Sequence, residues 1–260
     1  MLPKPKLYGV PLSQSFRSVA WAMLQKQMAF DFRRVVPGIT NKTGSLHPDF
    51  LSKTYSRSHR LPVYEEQGGG LTISESPAIL TYLCESRGWR DWYPPFSDET
   101  AITKTRIDSY VHWHPSGTQP LKLLTRPLLR PDLHLPKASA NDEQAARRVL
   151  NQLETGWLNS SKIGGGSFIA GTEDPTIADL LAYEEVAQAM VLGGLQLTER
   201  EYPNLKAWTE KMQRLPYHDA AHAALYTLSD IIEQTKSTRT TLSHLATAQK
   251  EGFKAIQQAQ

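Results

Sequence analysis

Strand-forming patterns are confined to the first third of this chain of 260 residues, and helical patterns fill the remainder. Residues 5–10 and 32–36 read as strands on either side of a helix over 15–27, which is a βαβ pattern. A polar helical stretch over 46–53 comes next, followed by two strands, LPVYEE and GLTIS, joined by consecutive glycines. This order of elements predicts a small α/β domain at the start of the chain.

A helix in SPAILTYLCESRG closes this first domain. Ser76 is its predicted cap, Pro77 lies in its first turn and Gly88 ends it. The segment WRDWYPPFS contains two adjacent prolines and is expected to be a linker. The predicted division is an α/β domain over 1–88, a linker over 89–97, an all-helical domain over 98–235 and a tail over 236–260 with a weak helical pattern.

The second half of the chain contains only helical patterns. One predicted helix start is unusually well specified, because Thr176 stands three residues before Asp179 in a capping-box arrangement. The helix that follows is apolar on most faces apart from Glu184, Glu185 and Gln188, so we expect a central core helix. The predicted helices are Asp98–Leu123, Asp142–Asn159, Ile177–Val191, Pro203–Arg214 and Tyr217–Gln234.

Charge and cysteine content exclude several classes of protein. The formal net charge is +3, and the excess lies in residues 236–260, which carry four basic residues and one acidic residue. A nucleic-acid site normally needs a basic stripe with interleaved aromatic residues, which is absent from this sequence. The sequence contains no run of 18 or more apolar residues, so no membrane span is predicted. Because Cys84 is the single cysteine and Met1–Lys6 is unlike a secretory signal, we expect a cytoplasmic protein without disulfides.

The stretch VPLSQSFRSVAW places Ser13, Ser15, Arg17 and Ser18 where the first strand gives way to a helix. A serine here can cap the helix by accepting a hydrogen bond from a backbone N–H. Alternatively, one hydroxyl faces a ligand at the positive end of the helix, where an anion is stabilised. The residues alone leave both interpretations open, and capping is the more common of the two.

Two further stretches have residues suited to binding an amino acid or a peptide. In LTISESPAIL, the Ser76 hydroxyl and nearby backbone N–H groups can hold a carboxylate while Glu75 pairs with an ammonium. A helix with an acidic residue at its start explains the same pattern without a ligand. In RLPV, residues 60–63, backbone groups of Leu61 can pair with an extended peptide.

These motifs resemble those of the cytosolic glutathione transferases, most of all the theta class. LSQSFR resembles the Leu-Ser-Gln-Pro-x-Arg motif of that class, and RLPVY with LTISESPAIL resembles its glutathione-binding half. DWYP, RIDSYVHWH, FIAGTEDPTIADLLAYEE and YPNLKAWTEKM continue the series, which runs from about Leu7 to Leu228. The resemblance implies a thioredoxin-like α/β N-terminal domain and an all-α C-terminal helical bundle. It also implies an enzyme that adds glutathione through sulfur to small electrophiles.

The resemblance identifies Ser13 as the catalytic residue. A hydroxyl there can donate a hydrogen bond to the thiolate of glutathione, and this bond, with the helix N-terminus, lowers the thiol pKa from about 8.5. Gln14 matches a glutathione-binding residue of the family, and Arg17 matches a supporting residue. Tyr8 is an alternative, since other transferase classes use an N-terminal tyrosine, but it lies inside the predicted strand.

The resemblance also implies how the rest of glutathione is bound. Glu75 and Ser76 would bind the γ-glutamyl end of the tripeptide. The backbone of Leu61 would pair with the cysteinyl part beside a cis Pro62. Arg60, which stands at the family's usual lysine, would meet the glycyl carboxylate.

The remaining implied contacts come from three other segments. His47 lies near the family's usual histidine, although alignment of the following phenylalanine puts Ser45 at that position, and either residue is a candidate for contact with glutathione. Asp108 would reach the γ-glutamyl ammonium of the ligand in a neighbouring subunit, which implies a homodimer. The electrophile would lie between the domains against the stretch from His112 to Gln119, with His112 and Ser116 as its candidate contacts and the tail as a candidate lid.

Glutathione is then a co-substrate, and neither a bound cofactor nor a metal is implied. His112 and His114 are two residues apart on a predicted helix and point away from each other, which disfavours a shared metal ion. The implied activity is detoxification of small hydrophobic electrophiles such as halides, epoxides, sulfate esters or peroxides. The alternative is a protein that binds glutathione in a regulatory or scaffold role without turnover.

Overall fold

The computed structural model describes residues 4–53, 59–159, 166–236 and 239–260. Its sheet has four strands in the order β2-β1-β3-β4. The first helix is buried at every residue from Phe16 to Leu24 and connects β1 to the parallel strand β2. The elements of this half are β1 Lys6–Gly9, α1 Gln14–Gln25, β2 Asp31–Arg34, α2 Pro48–Leu51, β3 Val63–Glu65, β4 Thr72–Ser74 and α3 Ser76–Arg87.

Strand direction brings three separate segments to one edge of the sheet. β3 is antiparallel to β1, and β4 is antiparallel to β3, so β4 runs in the same direction as β1. The ends of β1 and β4 therefore lie at the edge where β3 begins. Tyr8 pairs with Val63, and Val63 pairs with Ser74, at that edge. The segments around Ser13, Leu61 and Glu75 follow or precede these strand ends.

The start of α3 differs from the prediction. Ser76 was expected to cap the helix, but the helix begins at Ser76 itself, and Glu75 occupies the N-cap position with φ of 73° and no capping side-chain hydrogen bond. The prediction of a cap at Ser76 is therefore wrong by one residue, because the unusual φ of Glu75 turns the chain one residue earlier. The predicted stop is confirmed, since Gly88 adopts the left-handed conformation at φ 71°.

The second half of the described chain is helical. Its helices are α4 Ala101–Gly117, α5 Gln119–Leu129, α6 Ala140–Gln152, α7 Ile177–Val191, α8 Pro203–Gln213, α9 His218–Thr235 and α10 Leu242–Gln258, with a π turn over Leu153–Trp157 and a short 3-10 turn over Pro131–Leu133. The single helix predicted over Asp98–Leu123 is wrong, because the chain breaks at Thr118. Pro120 lies in the first turn of α5, where a missing backbone N–H is tolerated. Because it has no N–H to donate, it cannot continue the hydrogen bonding of α4 past this point.

The core of the helical half is α7, as its sequence predicted. Every residue from Ile177 to Ala189 is buried. The capping carboxylate of Asp179 accepts hydrogen bonds from the backbone N and Oγ1 of Thr176, and from Trp208 Nε1. The acidic pair Glu184 and Glu185 was the exception to an apolar surface in the sequence, yet both side chains are only 1% exposed. Polar groups on neighbouring helices pair with both carboxylates. The sequence pattern of a single helix could not reveal these partners.

The tail is helical and returns to the first half of the molecule. Phe253 of α10 stacks on Phe32 of β2 with ring centroids 4.4 Å apart and meets Phe16 of α1 edge to face. Gly252 lies against Pro11 and Ala224 so closely that a Cβ would be 2.6 Å from that of Ala224. The fold class predicted from the sequence is confirmed: a thioredoxin-like α/β half followed by an all-α half. The predicted domain boundaries stay a prediction.

Candidate active site between the sheet edge and the helices

Ser13 is the N-cap of α1 and stands where the chain leaves β1. Its backbone N donates to the carbonyl of Val10 at 3.0 Å, which closes the turn between strand and helix. Its Oγ accepts a hydrogen bond from the backbone N of Phe16 at a long 3.4 Å. Oγ is an acceptor in this bond, so its own proton is available for another acceptor. The two interpretations of this serine, cap and ligand contact, are therefore compatible.

Four predicted ligand residues meet Ser13 in one polar cleft. The cleft has a volume of about 450 Å³ and is lined by Ser13, Arg60, Leu61, Glu75, Ser76 and His114, among others. Leu61 and Pro62 are joined by a cis peptide bond, as the resemblance implied. The sheet topology explains the gathering, because these residues flank the strand ends at one edge.

The charged pair in this polar cleft is exposed. Arg60 Nη1 lies 3.5 Å from Glu75 Oε1, and the two side chains are 72% and 54% exposed. An exposed pair of this kind contributes little to stability. Both groups can therefore exchange this contact for a charged ligand at small cost. Ser76, by contrast, is buried at the first position of α3.

Ser13 also lines a second, apolar pocket. This apolar pocket has a volume of about 170 Å³ and is lined by Leu12, Ser13, Ile39, Leu129, Leu242 and Leu245, among others. Leu242 and Leu245 come from the tail helix α10, which therefore forms part of the wall. Arg130 and Asp132 form an ion pair of 2.7 Å that also lines this pocket.

Gln14 and Arg17 turn away from the polar cleft and bind α7. Gln14 Nε2 donates to Glu185 Oε2 at 2.9 Å. Arg17 is fully buried and donates through Nε to Glu184 Oε2 at 2.5 Å. Its Nη1 donates to the carbonyl of Pro11, two residues before Ser13. Arg17 thus supports the turn that presents Ser13, whereas a contact between Gln14 and glutathione stays a prediction.

His47 and Ser45 lie outside both cavities. His47 is the N-cap of α2, and its Nδ1 accepts from the backbone N of Asp49 at 3.2 Å. Ser45 is buried, and its Oγ accepts from the backbone N of Gly38 at 2.9 Å. It therefore stabilises the loop that contributes Pro37 to both cavities. Contact of either residue with glutathione stays a prediction.

Asp108, His112 and Ser116 are not brought to Ser13. Asp108 Oδ1 accepts from Tyr93 Oη at 2.7 Å, and it shares with His112 a wider cleft of about 730 Å³ that also reaches Glu75. Ser116 is exposed, and its Oγ donates to the carbonyl of Trp113 at 3.3 Å. The assignment of His112 and Ser116 to the electrophile stays a prediction without support from their placement.

Two other candidates are set aside by their surroundings. The hydroxyl of Tyr8 donates to Glu65 at 2.6 Å, and burial together with this bond raises the pKa of Tyr8 well above its ordinary value. It lines neither cavity that Ser13 lines. Burial raises the pKa of the Cys84 thiol to about 12, which makes it an inert packing residue. Within the described ranges, no group of three or more potential ligand side chains is placed to hold a metal ion.

A polar cluster that the sequence did not predict lies beneath the cleft. Glu185 of α7 lies 3.1 Å from Lys122 Nζ and 3.3 Å from His114 Nε2, and both of these residues line the polar cleft. His114 lies within the stretch predicted to line the electrophile site but was not assigned a role of its own, and Lys122 was not predicted. Two adjacent acidic residues inside an otherwise apolar helix were the one available signal, because buried carboxylates require partners.

Comparisons with known proteins find matches for both halves of the chain. Residues 7–90 match the profile described as Glutathione S-transferase, N-terminal domain, and residues 121–216 match Glutathione S-transferase, C-terminal domain. Human glutathione S-transferase theta-2 is 31% identical over 182 residues, which cover 67% of this chain and 68% of the relative. Two glutathione S-transferases of Arabidopsis thaliana are 30% and 29% identical over 96% of this chain, which spans only 40% of their own length. No helix in the described part of the chain has the length and apolar character needed to cross a membrane.

Solved structures share the fold. Human glutathione transferase theta-2, solved in complex with glutathione and an unknown ligand, superposes with a TM-score of 0.69 at 22% identity, covering 98% of each chain. A glutathione transferase of Drosophila melanogaster gives a TM-score of 0.71 at 24% identity, covering 92% of this chain and all of the other. With theta-class proteins among its relatives and both domain profiles matched in order, the chain belongs to the glutathione S-transferase family.

Proposed function

We propose that this protein is a glutathione transferase in which the Ser13 hydroxyl stabilises the glutathione thiolate, which then attacks a small hydrophobic electrophile. One observation carries the proposal: Ser13 lines both the polar cleft and the apolar pocket. A sulfur atom beside Ser13 would therefore have its own tripeptide on one side and the second substrate on the other. Such a position is what direct attack by the sulfur on the electrophile requires.

The polar cleft offers a partner for each end of glutathione. Glu75 would pair with the α-ammonium of the γ-glutamyl residue, and the Ser76 hydroxyl with its carboxylate. The backbone of Leu61 would pair with the cysteinyl part beside the cis bond to Pro62. Arg60 would meet the glycyl carboxylate after release from Glu75, with which it forms an exposed pair.

The thiol is activated by stabilisation of its anion. Ser13 caps α1, whose first turn contains no acidic residue, so the positive end of the helix dipole is not neutralised there. A hydrogen bond from the Ser13 hydroxyl to sulfur would add to this field and lower the thiol pKa. A larger thiolate fraction at neutral pH raises the rate of attack. Ser13 itself forms no covalent bond in this scheme, unlike the nucleophile of a serine hydrolase.

The apolar pocket supports a small second substrate. Its volume of about 170 Å³ and its leucine walls favour a compact apolar group carrying a leaving group or a strained ring. Halides, epoxides, sulfate esters and peroxides are the classes we propose. The wall contributed by α10 would make the tail part of the substrate site.

We also propose that the protein is a cytoplasmic homodimer. Phe96 of the linker and Ile102 of α4 are 70% and 67% exposed, and large apolar side chains at this exposure favour coverage by a partner. Asp108 lies on the same helix and shares its cleft with Glu75. Sedimentation equilibrium of the protein and of an Ile102→Lys variant tests the dimer, which the lysine should weaken.

Substitution of Ser13 by alanine tests the proposed function. We expect Ser13→Ala to bind glutathione with a similar Kd, to require a higher pH for thiolate formation, and to lose about 100-fold in kcat/KM. Ser18→Ala is the matched control, because its hydroxyl donates to the carbonyl of Ser15 within the same helix and lines neither cavity. Wild-type protein that binds glutathione but turns over none of the four electrophile classes would instead establish the non-catalytic role.

A further inference from the structure

Gln249 of α10 is a buried amide in the wall of the apolar pocket. It is 6% exposed and lines this pocket together with Ser13. Its Oε1 accepts a hydrogen bond from Arg34 Nε at 3.2 Å. Its Nε2 has no hydrogen-bond partner among the described residues and is not sealed from solvent, in contrast to the enclosed Nε2 of Gln25. An amide N–H left unpaired in an apolar wall costs free energy, so this group is suited to a ligand that accepts its hydrogen bond.

Arg34 fixes the direction in which the amide faces. A guanidinium has N–H donors and no acceptor, so only the oxygen of Gln249 can face it. The NH₂ group is then directed away from Arg34, which does not line the pocket. The group that Gln249 offers to the pocket is therefore a hydrogen-bond donor.

Packing of α10 against β2 holds Gln249 in place. Phe253 is one helical turn beyond Gln249, and its ring stacks on Phe32, with centroids 4.4 Å apart. Phe32 and Arg34 are two residues apart on β2, so they project from the same face of the sheet, and Gln249 and Phe253 share one face of the helix. The ring contact and the amide contact are therefore adjacent, and together they fix the position of the amide relative to the strand.

The other polar side chains that line the apolar pocket already have protein partners. Gln14 Nε2 donates to a carboxylate of α7 at 2.9 Å. Arg130 binds both oxygens of Asp132, through Nε at 2.9 Å and Nη2 at 2.7 Å, so the two charges balance each other. The Ser13 hydroxyl is assigned to sulfur in the proposed function. The amide of Gln249 is therefore a donor that is available to an electrophile without the loss of a contact within the protein.

We infer that Gln249 donates a hydrogen bond through Nε2 to the oxygen of the electrophile, and that it thereby directs this enzyme towards epoxides. The inference rests on the proposed function and selects one substrate class from those given there. The pocket has a volume of about 170 Å³, which suits one compact molecule. A small epoxide that reaches the sulfur beside Ser13 therefore lies within the same walls as Gln249.

The step balances with water as the source of the proton. The thiolate forms a bond to an epoxide carbon, the bond from that carbon to oxygen breaks, and its electron pair stays on oxygen as an alkoxide. Nε2 keeps both of its protons and stabilises the alkoxide as a hydrogen-bond donor. The alkoxide then takes a proton from water, and the hydroxide that forms neutralises the proton released earlier from the thiol. A halide, by contrast, leaves as an anion and needs no protonation.

A donor in an apolar wall distinguishes these two kinds of electrophile. Negative charge that develops on the epoxide oxygen during attack is stabilised by an N–H group already in position, most strongly where water is excluded. Carbon-bound chlorine is a weak acceptor, so an alkyl chloride of the same size would leave the amide unpaired. We therefore expect Gln249 to raise kcat for epoxides, because this interaction strengthens in the transition state.

The test uses Gln249→Leu and Gln249→Glu with a small epoxide and an alkyl chloride of matched size. Leucine removes both the donor and the contact with Arg34. Glutamate keeps an oxygen for Arg34 and removes the donor, so it separates the hydrogen bond to substrate from the support of α10. We expect the ratio of kcat/KM for the epoxide to kcat/KM for the chloride to fall about 30-fold in both variants, with the loss in kcat. Should Gln249→Leu lose its native circular dichroism, Gln249→Glu gives the ratio.

Gln257→Leu is the matched control, because Gln257 is an exposed glutamine of the same helix that lines neither the apolar pocket nor the polar cleft. Its ratio should equal that of wild type. A wild-type ratio in both variants of Gln249 would overturn the inference and leave the proposed function intact, as would a wild-type protein that conjugates the chloride and not the epoxide. Wild-type protein that conjugates neither would overturn the inference, and its failure with sulfate esters and peroxides as well would overturn the proposed function.

Discussion

Arg17 and Glu184 join the two halves of the molecule through a buried ion pair, with Nε 2.5 Å from Oε2 and side chains 0% and 1% exposed. His222 of α9 approaches the other carboxylate oxygen at 3.1 Å. Burial opposes ionisation of Glu184, but the charges of His222 and Arg17 hold its pKa below the ordinary value. Because Arg17 also holds the carbonyl of Pro11, the pair fixes the turn that presents Ser13.

Removal of this carboxylate charge should destabilise the fold strongly. Glu184→Gln leaves the guanidinium of Arg17 buried without its counter-charge, and we expect a loss of about 3–5 kcal/mol in the free energy of unfolding. Urea unfolding followed by tryptophan fluorescence measures it. Glu210→Gln removes one partner of the exposed pair with Lys206 and should have no measurable effect. A similar result for the two variants would contradict the structural role of the buried pair.

The stability of the protein should fall on mild acidification because of His218. Burial, and then the charge of His222, lower the pKa of His218 below the usual 6.5. The folded state therefore holds this proton more weakly than the unfolded chain does. The stabilisation is complete above pH 6.5 and is lost progressively as the pH falls from 6.5 towards the lower folded pKa.

His218→Gln should remove this dependence. It also loses the hydrogen bond to Tyr183 Oη, which lowers stability at every pH. The comparison therefore uses the slope of the free energy of unfolding against pH, and not its absolute value. Urea unfolding between neutral and mildly acidic pH gives that slope. An unchanged slope in His218→Gln would show that other groups control the acid response.

The tail helix should be displaced by a single methyl group. A Cβ on Gly252 would lie 2.6 Å from Ala224 Cβ and 2.9 Å from Pro11 Cβ, so Gly252→Ala forces α10 outwards at a cost of about 1–3 kcal/mol. Because Leu242 and Leu245 of α10 line the apolar pocket, the KM of a small hydrophobic electrophile should rise. Steady-state kinetics and thermal unfolding test both effects.

Gly156→Ala is the matched control for this substitution. Outside its own turn, no atom lies within 4 Å of a Cβ added at Gly156, so KM should not change and stability should not fall. If Gly252→Ala retained the wild-type KM while losing stability, the tail would contribute to the fold and not to the substrate site.

Local sequence signals were sufficient to predict the ends of helices that are set by nearby residues. Gly88 ends α3, and Thr176 with Asp179 begins α7, because backbone freedom and capping act within a few residues. The family motifs predicted that Ser13 and Glu75 lie in one site. The sheet topology explains why these two residues are close together. These features depend on residues that are close in sequence or on strand order alone.

Features that depend on packing between distant segments could not be predicted. The sequence places His112 and His114 on the same helix, and only the docking of α4 against α7 decides that His114 reaches the cleft. The burial of Glu184 and Glu185 depends on partners that α1, α5 and α9 supply, and the sequence of α7 alone does not identify them. The break at Thr118 was obscured by continuous helical character on both sides.

The γ-glutamyl ammonium offers the sharpest test of the binding half of the site. We expect Glu75→Gln to raise the Kd for glutathione about tenfold, since a hydrogen bond between charged groups contributes about 1.5–3 kcal/mol. N-acetylated glutathione lacks that ammonium and should bind wild type and Glu75→Gln equally. Glu66→Gln, whose carboxylate pairs with Arg87 and Tyr82 at the far side of the sheet, should leave both Kd values unchanged. Isothermal titration calorimetry gives all six constants, and an equal loss of affinity for both ligands in Glu75→Gln would mean that Glu75 shapes α3 without touching the ammonium.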